Sequence, residues 1–313
     1  MIRGRTVVVL GAGASYSYGF PLGSELYDKI HNGEYQRLYK EFLDNTPLDE
    51  NRKKRYIEQS NNLAYHVKHA TNKSIDYFLS NNLSFLDRGK EAIALIMLKC
   101  EAESKNIIVN RNCDWITILF QVCIDNLRYG HEYPEDKISF ITFNYDRSLE
   151  YFIYQKMINS FAEESTFELE KTIKKIDIYH VYGKIGEIEW QYIKSQKELG
   201  YGWDYRHILL ESIRKEIQIM HIERFGQKQD QIAKLIESAD RIYFLGFAYD
   251  PNNLHAIDFV NEIELQTKGK EIYGTAINVK DRKIEELMNT WGKNHKVILR
   301  KDMNCCQLLS EYL

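Results

Sequence analysis

The chain begins with an apolar run that leads directly into a glycine turn. Residues 7–10 read VVVL, and residues 11–15 read GAGAS. A strand that is apolar on both faces is typical of a parallel sheet covered by helices on each side. Glycines at the end of such a strand let the backbone approach a pyrophosphate, and the next helix offers free N–H groups. The pattern predicts the first strand of an α/β sheet, whose loop either binds a nucleotide or only turns the chain.

The loop differs from the common dinucleotide-binding fingerprint. That fingerprint has a third glycine three positions after the second, where this chain has Tyr16. No second strand ends in Asp or Glu at the distance from which a carboxylate would bind the ribose 2′-hydroxyl. An NAD(P)-dependent oxidoreductase is therefore disfavoured, although a nucleotide ligand stays open.

Further segments have the length and composition of buried parallel strands. They are rich in Ile, Val, Phe or Tyr, and helix-like segments follow several of them. Together with the first strand, the predicted strands are residues 6–11, 137–142, 176–182, 241–247, 271–278 and 296–300. The predicted helices among them are residues 146–157, 207–224, 228–238, 251–263 and 281–291. This alternation predicts an α/β fold with a Rossmann-like parallel sheet.

Residues 26–133 interrupt the alternation and are predicted to be helical. Apolar residues recur there at helical spacing, for example Ile93, Ile96 and Met97. The predicted helices are residues 25–31, 34–43, 52–68, 90–102 and 115–127. We interpret the segment as a helical insertion between the first and second strands of a single nucleotide-binding domain, residues 1–313.

Charge and cysteine content narrow the classes of function. The 313 residues have a formal net charge of -3, which gives no overall attraction to nucleic acid or to anionic membranes. We expect no direct nucleic-acid binding and no membrane association, and no apolar run is long enough to span a bilayer. The five cysteines form no C-x-x-C pair, so no metal site is expected. Their odd number, without a secretion signal, predicts reduced thiols in the cytoplasm.

Polar side chains follow the second and third predicted strands. Asn144 and Asp146 come just after one strand, and His180 and Tyr182 lie at the end of the next, before Gly183. Open α/β sheets bind ligands beyond the carboxyl ends of their strands, so these side chains point toward the expected cleft. Each also has a structural interpretation: Asp146 as a helix cap, Asn144 as a partner of neighbouring backbone, and His180 as a structural histidine.

The fourth and fifth predicted strands end in a similar way. Gly246 follows the apolar residues of the fourth strand, and Asn278 ends the fifth. A small or polar residue at the end of a single strand is weak evidence for a ligand site. Because parallel strands bring their carboxyl ends to one edge of the sheet, the four strand ends together predict a ligand site there.

The set of motifs resembles the sirtuin fold. In chain order it comprises Gly-Ala-Gly-x-Ser, Asn-x-Asp, a His close to a Gly, Leu-Gly and Ile-Asn, spread over residues 9–278. It is most similar to the sirtuin-like proteins of bacterial anti-phage defence, which include NAD-hydrolysing effectors. The resemblance covers the Rossmann-like frame and not the helical segment.

The resemblance implies roles for individual residues toward NAD. Asn144 would sit at the nicotinamide ribose and orient the attacking water. The implied NAD-binding residues are Gly11, Ala12, Gly13 and Ser15 at the pyrophosphate, Asp146 at the nicotinamide amide, Gly246 under the ribose and phosphate, and Asn278 at the adenosine ribose.

The chain departs from the family pattern beside these residues. Phe143 stands where sirtuins have Gln, Phe247 stands where Ser or Thr is usual, and Tyr182 stands where a histidine directly before the glycine is usual. A phenol is a poor base, since it titrates near pH ~10 and an imidazole near ~6.5. His180, two residues earlier on the same strand face, is therefore predicted as the catalytic general base or ribose-orienting group, and Tyr182 as a wall of the NAD cleft.

The cysteine pairs that bind structural zinc in deacetylating sirtuins are missing. We therefore expect cleavage of NAD with water as the acceptor, in an anti-phage effector that depletes cellular NAD. The alternative is a catalytically weak or inactive nucleotide-binding scaffold or sensor subunit of a defence complex. We also expect a homo-oligomer, or control by a partner such as the HerA-type ATPases or Argonaute-like proteins of similar systems.

Overall fold

A six-stranded parallel sheet forms the centre of the protein. The computed structural model describes residues 4–72, 74–110, 115–128, 138–161, 166–174, 176–188, 200–202, 204, 210–219, 226–260 and 269–313. Its strands are β1 (Thr6–Leu10), β2 (Ile138–Thr142), β3 (Asp177–His180), β4 (Arg241–Leu245), β5 (Glu271–Thr275) and β6 (Lys296–Arg300). They lie in the order β3-β2-β1-β4-β5-β6, and each neighbouring pair is parallel. The predicted α/β class and Rossmann-like parallel sheet are confirmed.

Several strands end before the residues predicted to close them. β3 ends at His180, so Tyr182 lies in the turn beyond it. The prediction that these two residues share one strand face is therefore wrong. β4 likewise stops before Gly246 and β5 before Asn278, which leaves both residues in loops at the carboxyl edge of the sheet.

The strand order reverses beside β1. Leu10 at its end pairs with Thr142 of β2 on one side and with Leu245 of β4 on the other. All five residues of β1 are buried, as expected for an apolar strand in the interior of a parallel sheet. In open α/β sheets a reversal of this kind opens a crevice at the carboxyl ends of the strands, where ligands bind.

Between β1 and β2 the described residues are largely helical. The helices are α1 (Ala12–Tyr16), α2 (Gly23–His31), α3 (Glu34–Asp44), α4 (Glu50–His69), α5 (Ile75–Asn81), α6 (Leu86–Asn110) and α7 (Trp115–Arg128), with a 3-10 turn at Leu83–Phe85. Each helix predicted between 25 and 127 is present, with shifted ends. The short helices α1 and α5 were not predicted, because five and seven residues are too few to show a helical period.

The other helices that the structure describes come after β2 in the chain. They are α8 (Ser148–Ser160), α9 (Thr166–Ile173), α10 (Leu210–Glu216), α11 (Gly226–Ser238), α12 (Pro251–Ala256), α13 (Asp281–Trp291) and α14 (Cys305–Tyr312). The helix predicted at 207–224 ends at Glu216, after which Ile217 pairs with Gly183. Residues 207–209 and 220–224 of that prediction lie outside the described part. The helix predicted at 251–263 ends at Ala256, and residues 261–263 again lie outside it.

α6 packs against helices that precede β2 in the chain and helices that follow it. Its residues 92–98, AIALIML, are apolar on every side of the helix, and all are buried. A helix without a polar face has to be enclosed by others, and α2, α3, α4, α5, α8 and α10 pack against it. Among the described helices, none combines the length and the apolar character needed to cross a membrane.

Candidate functional site

The glycine loop after β1 packs directly on the loop after β4. Gly11 donates its backbone N–H to Leu245 O at 3.0 Å. Gly13 donates its own to Gly246 O at 2.9 Å. A Cβ atom at Gly11 would lie 2.5 Å from Gly246 O, and one at Gly246 would lie 2.0 Å from Ala14 N. Both separations are well below van der Waals contact, so side chains at these positions would push the loops apart.

The contact between the two loops is enough to explain why the motif contains glycines, even if no ligand binds there. The N–H groups of Gly11 and Gly13 are used within the protein, and Ala14 donates its own to Gly11 O at 2.9 Å. Ala12 begins α1, a helix of five residues in which few peptide dipoles align. Of the two interpretations of the motif, the structural turn is therefore required by the fold, and nucleotide binding would be an addition to it.

Asn144 connects the loop after β2 to the glycine loop. Its side-chain Nδ2 donates to Gly11 O at 3.1 Å and to Ser15 Oγ at 3.0 Å. Both amide hydrogens are thereby used, whereas Oδ1 accepts no hydrogen bond from the residues that the structure describes. Since Asn144 is only half-buried, this oxygen is available to a ligand or a water.

Ser15 and Asp146 continue the same network toward the interior. The Ser15 hydroxyl accepts from Asn144 and lowers the pKa of the nearby Asp146 carboxyl group. Asp146 also accepts from the backbone N–H and the hydroxyl of Ser148, the first residue of α8. Burial raises the pKa of Asp146, against the opposite effect of the two serines. Gly11, Ser15, Asn144 and Asp146 are thus brought together, with Asp146 at the buried end.

His180 contacts the backbone of Asn144. Its Nδ1 lies 2.9 Å from Asn144 O, and its Nε2 lies 2.8 Å from Glu150 Oε1 on α8. The residue is 5% exposed. The role of general base stays a prediction, and it would require one of these two hydrogen bonds to break.

Glu150 is a part of this region that sequence reasoning missed. Its side chain is fully buried, and Lys184 pairs with it at 3.2 Å in addition to His180. Burial raises the pKa of Glu150, but His180 and Lys184 lower it further, so that it lies far below the usual range. The available signal was the position of Glu150 within SLEYFIY, residues 148–154, where the neighbours are largely apolar.

The side chain of Tyr182 contributes a hydroxyl that donates a hydrogen bond, and it is not suited to act as a general base. Its Oη donates to Asn253 Oδ1 at 2.7 Å. Burial raises the pKa of the phenol far above its usual value, and the charges of Asp76 and Asp250 add to the effect. The hydroxyl therefore stays protonated at neutral pH.

The three positions that depart from the sirtuin pattern form one aromatic cluster. The ring of Phe143 lies 5.5 Å from that of Tyr182 and 5.2 Å from that of Phe247, measured between centroids. All three residues are buried. Ring contacts of this kind stabilise a fold by about 0.5–1.5 kcal/mol each beyond area burial. The three side chains are thus one packing feature of the fold.

The loops after β4 and β5 contain left-handed backbone. The φ angle is +55° at Tyr249 and +62° at Asn278. Non-glycine residues adopt this region rarely, and it is enriched at binding sites. Asn278 lies beyond β5, and β1 and β4 separate that strand from β2. At about 4.8 Å per strand spacing, Asn278 and Asn144 are roughly 14 Å apart along the edge, so they could contact only different parts of one ligand.

No protein-family model matches the chain, and no curated protein matches it either. Within the described ranges, no group of three or more His, Cys, Asp or Glu side chains is arranged to hold a metal ion. The fold therefore defines the class as an α/β protein with a Rossmann-like parallel sheet.

Proposed function

We propose that this chain is an NAD hydrolase, which converts NAD and water into nicotinamide and ADP-ribose. The observation that supports the proposal is the fixed amide of Asn144, which is bonded to Gly11 and Ser15 and keeps Oδ1 for a ligand. This group lies at the carboxyl edge of the sheet beside β1, where the strand order reverses and open α/β sheets bind nucleotides. The substrate class comes from the resemblance to sirtuin-like proteins.

The proposed reaction needs positioning more than covalent help. The bond between the nicotinamide nitrogen and the ribose carbon breaks, and nicotinamide leaves with the bonding electrons. A water oxygen attacks the same carbon, and its proton passes to solvent. Asn144 Oδ1 would accept a hydrogen bond from that water or from a ribose hydroxyl, which fixes the direction of attack. The amide cannot rotate without breaking its two bonds to the glycine loop.

The resemblance supplies the rest of the proposal. The sheet would be of the sirtuin type, and residues 26–133 would be an insertion into it. NAD would extend from Asn144 along the edge of the sheet, and its contacts would be Gly11, Ala12, Gly13, Ser15, Asp146, Tyr182, Gly246 and Asn278. Loss of cellular NAD would serve anti-phage defence, under the control of homo-oligomer assembly or of a partner such as a HerA-type ATPase or an Argonaute-like protein.

Nicotinamide release tests the proposal directly. Purified protein is incubated with NAD, and nicotinamide and ADP-ribose are separated and quantified. We expect release by the wild type and a loss of about a hundredfold or more in Asn144→Ala, because the group that orients the water is gone. Asn82→Ala is a matched control, since Asn82 is also half-buried and donates one side-chain bond, to Phe78 O at 2.8 Å.

The control variant should keep wild-type turnover. Circular dichroism and the unfolding midpoint establish that both variants are folded. A folded Asn144→Ala protein that still releases nicotinamide at the wild-type rate would refute the assignment of Asn144. A wild type that releases none, at any oligomeric state reached in solution, would refute the hydrolase.

A catalytically inactive nucleotide-binding subunit is the second candidate. The aromatic cluster of Phe143, Tyr182 and Phe247 favours it, because buried rings replace polar groups next to Asn144. In that case NAD should bind, as measured by titration calorimetry, and should be recovered intact. Binding should weaken in Asn144→Ala and stay unchanged in Asn82→Ala.

A further inference from the structure

A buried charged pair supports the backbone of Asn144. His180 Nδ1 lies 2.9 Å from Asn144 O, and His180 Nε2 lies 2.8 Å from Glu150 Oε1. Glu150 is fully buried and His180 is 5% exposed, so solvent screens neither group effectively. Lys184 pairs with the same carboxylate oxygen at 3.2 Å. Neither His180 nor Glu150 has a role in the reaction proposed above. His180 nevertheless contacts Asn144, the residue at the centre of that reaction.

The partners of the ring decide how many protons it has. One partner of His180 is a carbonyl oxygen and the other is a carboxylate oxygen, and both can only accept. Lys184, 3.2 Å from the same carboxylate oxygen, favours the ionised form of Glu150, which can only accept. The ring can therefore make both bonds only with a proton on each nitrogen. In this arrangement His180 donates on both sides and has no free lone pair for a proton.

We infer that Glu150 and His180 are positioning residues that hold Asn144 for the reaction, and this inference rests on the proposed function. Glu150 orients the His180 ring and keeps it a donor on both sides. His180 holds the main chain of Asn144 at its carbonyl oxygen. The side chain of Asn144 then reaches Gly11 and Ser15 with Oδ1 left for water. The pair acts on the substrate only through Asn144.

Two amide variants of His180 separate this role from that of a general base. The NH2 group of an Asn side chain falls near the position of ring Nδ1, and that of a Gln side chain falls near Nε2. His180→Asn therefore keeps a donor toward Asn144 O. His180→Gln keeps a donor toward Glu150 and loses the one toward Asn144.

The kinetic expectation differs for the two variants. The kcat for nicotinamide release should fall by less than about tenfold in His180→Asn and by about a hundredfold in His180→Gln, the cost of a small misplacement of a reacting group. The KM for NAD should stay within about threefold of the wild type in both, since neither variant touches the substrate. Equal loss of kcat in the two folded variants would overturn the inference, because a missing base is missing in both.

Nuclear magnetic resonance tests the same arrangement without turnover. In 15N-labelled protein the side-chain amide signals of Asn144, assigned with Asn144→Ala, should shift in His180→Gln and stay in place in His180→Asn. Unmoved Asn144 signals in His180→Gln would overturn the inference. If the spectra are as expected and the wild type releases no nicotinamide, the hydrolase is refuted and the support of Asn144 stands.

Discussion

Gly246→Ala should destabilise the protein, because a methyl group at this position has no room. The φ angle of Gly246 is +59°, and an added Cβ would lie 2.0 Å from Ala14 N and 2.2 Å from Gly13 C. Both neighbours are main-chain atoms of α1 and the glycine loop, so no side chain can rotate away. Space for the methyl group requires the two loops to separate, which breaks the 2.9 Å bond from Gly13 N to Gly246 O.

The expected loss of stability is the sum of three effects. Left-handed backbone costs an L-residue about 1–2 kcal/mol. Overpacking of a close-packed site costs about 1–3 kcal/mol, and the net loss of one hydrogen bond about 1 kcal/mol. We therefore expect Gly246→Ala to lower the free energy of unfolding by about 3–6 kcal/mol. Since a native protein has about 5–15 kcal/mol in all, this is a large fraction of the total.

Gly33→Ala is the matched control, because it measures the cost of left-handed backbone without a steric clash. Gly33 has a φ of +98°, and an added Cβ would meet nothing within 4 Å. It should lose about 1–2 kcal/mol from the backbone alone. Urea denaturation followed by circular dichroism gives both free energies of unfolding, provided that the m-values agree. If Gly246→Ala unfolds no more easily than Gly33→Ala, the contact between the two loops is not as tight as the structure has it, and the reasoning fails.

Two further predictions concern buried charges. Glu150 has a folded pKa well below its unfolded value of about 4.3, so its stabilising effect is complete above that value and is lost as pH falls further. The urea midpoint of the wild type should therefore drop more steeply than that of Glu150→Gln between pH 6 and pH 3, and parallel curves would contradict this. Glu101 and Arg147, both fully buried, form a 2.6 Å ion pair, and Glu101→Gln should cost about 3–5 kcal/mol by leaving Arg147 without its anion. Adding Arg147→Met should restore much of that stability, and a double variant as unstable as the single one would rule out the uncompensated charge as the cause.

The class of fold could be predicted because a buried strand is recognisable from its own apolar residues. A strand covered on both faces has to be apolar throughout, and VVVL at residues 7–10 shows this without any knowledge of its neighbours. The run AIALIML at residues 92–98 indicates an enclosed helix for the same reason. Polar residues after strands, such as Asn144, were predictable as members of a shared edge because parallel strands end on the same side.

The partners of those residues could not be predicted, because they come from distant parts of the chain. The glycines at positions 11 and 13 suggested a phosphate loop, yet their neighbour in space is Gly246. Phe143, Tyr182 and Phe247 looked like separate departures from a pattern, and the fold makes them one cluster.

Glu150 shows why this division exists. Its apolar neighbours on α8 could indicate burial, but only the tertiary fold places its carboxylate 2.8 Å from His180 of β3. Local patterns record whether a residue is buried, since burial acts on each side chain separately. Which charged groups meet depends on strand order and helix packing, and these are set by contacts between segments far apart in the chain. The sequence by itself thus determined the elements and the edge at which a site can form, and the tertiary structure decided which side chains act together there.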